Sequence, residues 1–100
     1  MSEAYTVAQL QGLLAPVFRK NKIRKATLFG SYSKGEATVN SDIDLLVDSG
    51  LHGLSYFGLV DDVCELLDCD VDIIDVQDVS PNSRVDREIR NTGVVIYEHE

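Results

Sequence analysis

One hundred residues with 44% hydrophobic content are enough for a single compact domain around one core, at the small end of the usual domain range. Seventeen acidic against nine basic residues give a formal charge of -8, which argues against strong nucleic-acid binding and favours partners with basic surfaces. The longest apolar runs, such as Leu45-Leu46-Val47, fall far short of the roughly 20 residues that span a bilayer, and Met1 to Tyr5 carry no basic segment followed by an apolar one. A soluble, cytoplasmic protein is therefore expected.

Thr6-Val7-Ala8-Gln9 has the form of a capping box, with Tyr5 and Leu10 placed as a hydrophobic staple, and predicts a helix start. Val7, Leu10, Leu14, Val17 and Phe18 follow helical spacing to about Lys20, and Pro16 should kink the segment. Arg19, Lys20, Lys22, Arg24 and Lys25 form one basic cluster, whose plain reading is a solvated helix end favoured by the dipole. Ala26-Thr27-Leu28-Phe29 reads as a short buried strand ending at the Gly30 turn, and Thr38, Val39 and Asn40 lead toward the next one. Residues 42 to 47 then read as a second strand of alternating character.

Asp48-Ser49-Gly50 is turn chemistry. Ser55 is placed to cap a helix whose buried stripe is Phe57, Val60, Val63, Cys64 and Leu67, with Asp61, Asp62 and Glu65 facing water. Residues 71 to 76 read as a third strand. Ser80-Pro81 reads as a cap and first turn of another helix, with Val85 and Ile89 inward, and Asn91-Thr92-Gly93 as its end. Residues 94 to 97 close the chain as a fourth strand. Interleaved strands and helices predict an α/β fold, a mixed sheet of about four strands with helices packed on it.

Side chains alternate across a strand, so Asp42 and Asp44 share one face while Ile43, Leu45 and Val47 share the other. Two such acids alone are compatible with an ordinary exposed strand face. A Gly-Ser turn at Gly30-Ser31 just upstream and a third strand acid, Asp72 within Val71-Asp72-Ile73-Ile74, change the balance. Carboxylates set among aliphatics repel one another and lose hydration unless a cation compensates them. Asp75 falls on the opposite strand face from Asp72 and, with Asp78, is expected to be a surface acid. Cys64 and Cys69 make no disulfide framework and are expected as reduced thiols, small residues of the core. His52 and His99 offer no ligand spacing with them, so zinc has no support.

The run Leu28-Phe29-Gly30-Ser31 through Gly35-Glu36-Ala37 to Ser41-Asp42-Ile43-Asp44-Leu45, with Asp72 following, resembles the minimal nucleotidyltransferases of the DNA polymerase β-like superfamily. The resemblance covers nearly the whole chain. It implies the nucleotidyltransferase fold over residues 1 to 100, two Mg²⁺ ions held by Asp42, Asp44 and Asp72 as metal and catalytic residues, and ATP as substrate. It further implies nucleotide contacts from Gly30, Ser31, Lys34 and Ser41, with Asp72 on the acceptor side. Hard oxygen ligands suit Mg²⁺, and two ions can stabilise both oxygens of an in-line displacement.

The sequence departs from the family where Tyr32, Ser33 and Lys34 supply a single cation, although many members carry arginine there. No helical acceptor domain is expected after the last strand, so another chain should supply the acceptor. Minimal nucleotidyltransferases often act as antitoxins beside a helical HEPN ribonuclease toxin, and are implicated in moving AMP from ATP to a tyrosine hydroxyl of the toxin. The resemblance therefore implies a protein adenylyltransferase with a HEPN-type partner. The competing expectation is a module that neutralises its partner by stoichiometric binding, with Arg84, Arg87 and Arg90 near one face of the last helix as contacts or as a solvated face.

Overall fold

The computed structural model describes residues 5–38, 41–67 and 70–99. Helix α1 (Val7–Lys20) opens on the predicted capping box: Thr6 accepts from the Gln9 amide and the Gln9 side chain accepts from the Thr6 amide. Strand β1 (Lys25–Phe29) runs antiparallel to β2 (Ile43–Asp48), which pairs in parallel with β3 (Val71–Asp75). Helix α2 (Leu54–Leu66) lies between β2 and β3 in the chain. After a short 3₁₀ turn, α3 (Arg84–Thr92) leads to β4 (Val94–Glu98), antiparallel to β1. The sheet order is β3-β2-β1-β4, a mixed four-stranded sheet as expected.

One face of this sheet carries the core. Ala26 and Leu28 of β1 and Ile43, Leu45 and Val47 of β2 are buried there with Leu10, Leu14 and Phe18 of α1 and Leu59 and Val63 of α2. Burying each such aliphatic side chain stabilises the fold by roughly 1.5–3 kcal/mol. Phe18 and Tyr97 add a tilted ring pair with centroids 5.5 Å apart. Two residues of the basic cluster meet acids, Lys20 on Asp62 at 3.4 Å and Arg24 on Asp48 at 4.0 Å. Among the described residues no helix is long and apolar enough to cross a membrane.

Several expectations are corrected. Helix α2 is capped by Gly53, two residues ahead of Ser55, and its buried stripe is Leu59, Val63 and then Leu67. Phe57 is 68% exposed and Cys64 is also exposed; Cys69 lies outside the described residues. Asp61 is a helical neighbour of both Phe57 and Cys64, so burying that pair would draw a carboxylate toward the sheet, whereas the observed phase leaves Asp61 and Glu65 in water.

Helix α3 starts at Arg84 rather than at Pro81. Asn82 has φ 63, a left-handed conformation that no helix continues through, and Ser83 caps the helix by accepting from the Asp86 amide. Asp75 is not a surface acid: at 5% exposure it points to the packed face and accepts from the Ser49 hydroxyl and the Gln77 amide. The face opposite Asp72 is the covered one, which is why that acid is buried.

Candidate active site

The other face of the sheet is where the acids gather. Phe29 of β1 stands beside Asp44 of β2, and Asp44 beside Asp72 of β3, each pair in register. Alternation then puts Asp44 and Asp72 side by side on the face away from Ile43, Leu45 and Val47. Asp42 is exposed and sits one residue before β2. Asp44 is half-buried. Its carboxyl is pushed up to about 6, first by burial and then by the negative charges of Asp72, Glu88 and Asp42. Those four carboxylates therefore share one electrostatic neighbourhood.

Gly30 ends β1 with φ 78, where only glycine is unstrained, and a Cβ there would lie 2.6 Å from Asp44 Oδ2 and 3.4 Å from Glu88 Oε1. The absence of a side chain at Gly30 is what lets the Asp44 carboxylate lie against the turn. The turn is closed by the Ser33 hydroxyl and the Lys34 amide, both donating to the Gly30 carbonyl at 2.8 and 3.3 Å.

The remaining sequence-predicted residues are engaged locally. The Gly30 amide donates to Thr92 Oγ1 at 3.1 Å, and Ser31 is half-buried with its carbonyl accepting from Glu36. Lys34 pairs with Glu36 at 3.5 Å. The Ser41 hydroxyl accepts from the Thr38 amide at 2.9 Å, an arrangement that closes its own turn. Asp44 and Asp72 stand in register on one face, with Asp42 near enough for its charge to act on Asp44; Ser41 and Lys34 are held by near neighbours in sequence.

Sequence reading missed the part played by α3. Glu88 and Arg84, one helical turn apart, line a cleft of about 640 Å³ with Phe29, Asp44, Asp72 and Ile74. Thr92, one turn further, donates to the Glu88 carbonyl at 2.7 Å and so ties the helix to the Gly30 amide. The available signal was the i, i+4, i+8 spacing of Arg84, Glu88 and Thr92 on a single helix face. Arg84 is exposed and joins no ion pair among the described residues, whereas Arg90 pairs with Asp86 at 2.8 Å.

Among the described residues no three His, Cys, Asp or Glu side chains are already gathered to hold a metal ion. The donor chemistry nevertheless fits one: hard carboxylate oxygens around a cleft, with Asp44 raised by neighbours of like charge.

The strand turn pinned by glycine and the acids on the adjoining sheet face lie where the sequence's resemblance to nucleotidyltransferases expects them. Residues 13–100 match the family described as "Polymerase beta, Nucleotidyltransferase", and the chain belongs to that family. It is 31% identical over 78 residues to the Methanocaldococcus jannaschii protein named "Putative protein adenylyltransferase MJ0435", covering 75% of this chain and 83% of that one. It is 38% identical over 61 residues to protein adenylyltransferase MntA of Shewanella oneidensis, covering 59% of this chain and 44% of that one. Its fold matches a chain of a toxin-antitoxin crystal structure with AMP-PNP at TM-score 0.73 and 28% identity, covering 90% of this chain and 74% of that chain.

Proposed function

We propose that this chain is one nucleotidyltransferase domain that moves AMP from ATP to a hydroxyl, that of a tyrosine, on a HEPN-type toxin partner and so acts as an antitoxin in the cytoplasm. The observation that carries the reading is the row Asp44-Asp72 beside Gly30, with Asp42 in the same field. The relatives named as protein adenylyltransferases support adenylyl transfer to a protein, and the toxin-antitoxin structure with AMP-PNP supports an adenine nucleotide and a toxin as partner.

In this reading Asp42 and Asp44 are the residues that would hold two Mg²⁺ ions, and Asp72 would contribute from the acceptor side. Bound Mg²⁺ supplies positive charge to the reacting phosphate and its leaving group. Before ATP enters, the four carboxylates repel a triphosphate. Cation binding and nucleotide binding are therefore coupled through the charge on Asp44. Gly30 lets the Asp44 carboxylate lie against the turn, and Ser31 and Lys34 flank that turn as phosphate contacts, Lys34 by exchanging Glu36 for the anion. Ser41 shapes the approach to Asp42 through its turn.

Asp72 is exposed on the outermost strand, and this reading assigns it to the acceptor side. It accepts the proton of the acceptor hydroxyl as that oxygen bonds to the α-phosphorus; the bond from the α-phosphorus to the bridging oxygen breaks, and pyrophosphate leaves.

Purified partner, α-labelled ATP and Mg²⁺ test the reading. Label should move to the partner with the native protein and stop with Asp44→Asn. Suppression of the partner by Asp42→Asn/Asp44→Asn at native strength, with no label moved by the native protein, would leave stoichiometric binding instead.

A further inference from the structure

Helix α3 is the crossover between the two outer strands. The chain reaches it from β3 at one edge of the sheet and leaves it for β4 at the other, so its first turn lies toward β3 and its last toward β1 and β4. The last turn is fixed by Thr92 on the Gly30 amide, and Glu88 follows, with Oε1 3.4 Å from the place a Gly30 Cβ would take and its charge acting on Asp44. Arg84 comes one turn further along, roughly 6 Å toward β3. There it borders the cleft together with Asp72. One face of α3 thus carries Thr92, Glu88 and Arg84 across a sheet that presents Gly30, Asp44 and Asp72 in the same direction.

Of the three arginines on this helix, two are engaged within it or just ahead of it. Arg87 donates to the Asn82 carbonyl at 3.1 Å, and Arg90 pairs with Asp86 at 2.8 Å. Arg84 joins no ion pair among the described residues, although Glu88 lies one turn away and Asp72 borders the same cleft. Its place in the helix does not favour a cation either. It is the first residue after the Ser83 cap, where the macrodipole disfavours positive charge. In the cleft it is the one basic side chain, set among Asp44, Asp72 and Glu88, while Lys34 beside the Gly30 turn is paired with Glu36. Carboxylates that suit a cation, with an unpaired guanidinium next to them, are arranged for an anion that arrives with metal.

We propose that Arg84 is a substrate-binding residue whose guanidinium holds the α-phosphate of the nucleotide at the Asp72 end of the cleft. Which phosphate it meets follows from the order of the site. The Gly30 turn marks one end and Asp72 the other, and the transferred phosphorus has to lie next to the acceptor oxygen, whose proton Asp72 takes in the proposed reaction. Arg84 stands at that end; Ser31 and Lys34 flank the opposite one, so the outer phosphates fall to them. A guanidinium offers two parallel N–H donors to two oxygens of one phosphate, a fit that an ammonium lacks. It stays charged throughout, so it would orient the α-phosphate for in-line attack without exchanging a proton. Arg84 thereby supplies from α3 the arginine that Tyr32, Ser33 and Lys34 do not provide.

This inference rests on the proposed transfer reaction, and the two are separable. AMP-PNP and AMP are titrated with Mg²⁺ into the full chain by NMR, native and Arg84→Gln, alongside label transfer from α-labelled ATP to a purified HEPN-type toxin. Both nucleotides carry the α-phosphate, so Arg84→Gln should weaken both by on the order of tenfold or more. Affinity for the toxin should stay within about twofold of native. Arg84→Lys, which keeps the charge without the fork, should recover part of the loss. The melting temperature of Arg84→Gln should equal or exceed the native value, because a cation has left the first turn of a helix. A melting temperature that falls with the affinity would make Arg84 structural and overturn the proposal. AMP-PNP binding within about twofold of native overturns it as well. Weaker AMP-PNP with unchanged AMP would put the guanidinium on the outer phosphates, and lost toxin affinity alone would make it a docking residue; either result overturns the assignment. Label moved by the native protein, with nucleotide affinity unchanged in the variant, leaves the reaction and removes Arg84 from it. Weaker binding of both nucleotides in the variant, with no label moved by the native protein, keeps the contact and removes the reaction.

Discussion

The two faces of the sheet obey opposite rules. On one, Ala26, Leu28, Ile43, Leu45 and Val47 meet α1 and α2 in a dry core. On the other, Asp44 and Asp72 stand one strand apart under a helix with no fully buried residue. Burial is favourable in the first case and raises the Asp44 carboxyl to about 6 in the second. The same β2 serves both through simple alternation, so stability and chemistry sit on neighbouring residues. The packed face supplies the rigidity that lets the other hold like charges together.

That contrast can be broken from either side, and the largest effect belongs to the acidic face. Charge stabilisation by a bound cation is worth several kcal/mol, so Asp44→Asn should lower AMP transfer by on the order of 10²-fold or more while far-UV circular dichroism stays native. Equal loss of fold and activity would mean that Asp44 is structural. On the packed face, Leu45→Ala removes a fully buried side chain and should cost about 2–5 kcal/mol in urea unfolding. A loss below about 1 kcal/mol would say that this face is not the core.

Gly30→Ala joins the two faces' logic, because the added Cβ meets Asp44 Oδ2 at 2.6 Å in a backbone with φ 78. Strain of about 1–3 kcal/mol is expected in stability, together with reduced transfer. Full activity would show that the turn and the carboxylate do not touch in the working enzyme. Thr92→Val leaves the buried Gly30 amide without its acceptor and should cost about 1–3 kcal/mol. Thr92→Ser, which keeps the hydroxyl, should restore most of it.

The smallest effect is on pH dependence. A carboxyl raised in the folded state binds its proton more tightly there than in the unfolded chain. Asp44 therefore favours the fold at low pH, and that advantage fades as pH rises from near 4 through about 6. Without divalent cation, Asp44→Asn should raise the melting temperature more at pH 7 than at pH 5. Added Mg²⁺ should narrow the difference. A gain that is larger at pH 5 would contradict the crowding of Asp44 by its neighbours.

Legibility in the sequence followed the strength of local signals. The capping box at Thr6 and the alternation of Ile43 to Val47 both specify structure within a few residues, and both appear as expected. The phase of α2 was misread because apolar residues occupy more than one side of it, and the position of Asp61 decided between them only in three dimensions. Asp75 was misplaced for a related reason: an acid on a strand gives no sign of which face a helix covers, and Ser49 and Gln77 satisfy it from other elements. In the site, Asp42, Asp44 and Asp72 were visible because strand geometry alone brings them together. Glu88 and Thr92 were not, since their approach to Gly30 depends on how α3 lies across β1.

The most direct test of the account is the intact mass of a HEPN-type toxin after incubation with this protein, ATP and Mg²⁺. The account predicts a mass increase equal to one or more AMP groups on tyrosine, absent with Asp44→Asn. An unmodified toxin that is nonetheless fully inhibited would contradict it.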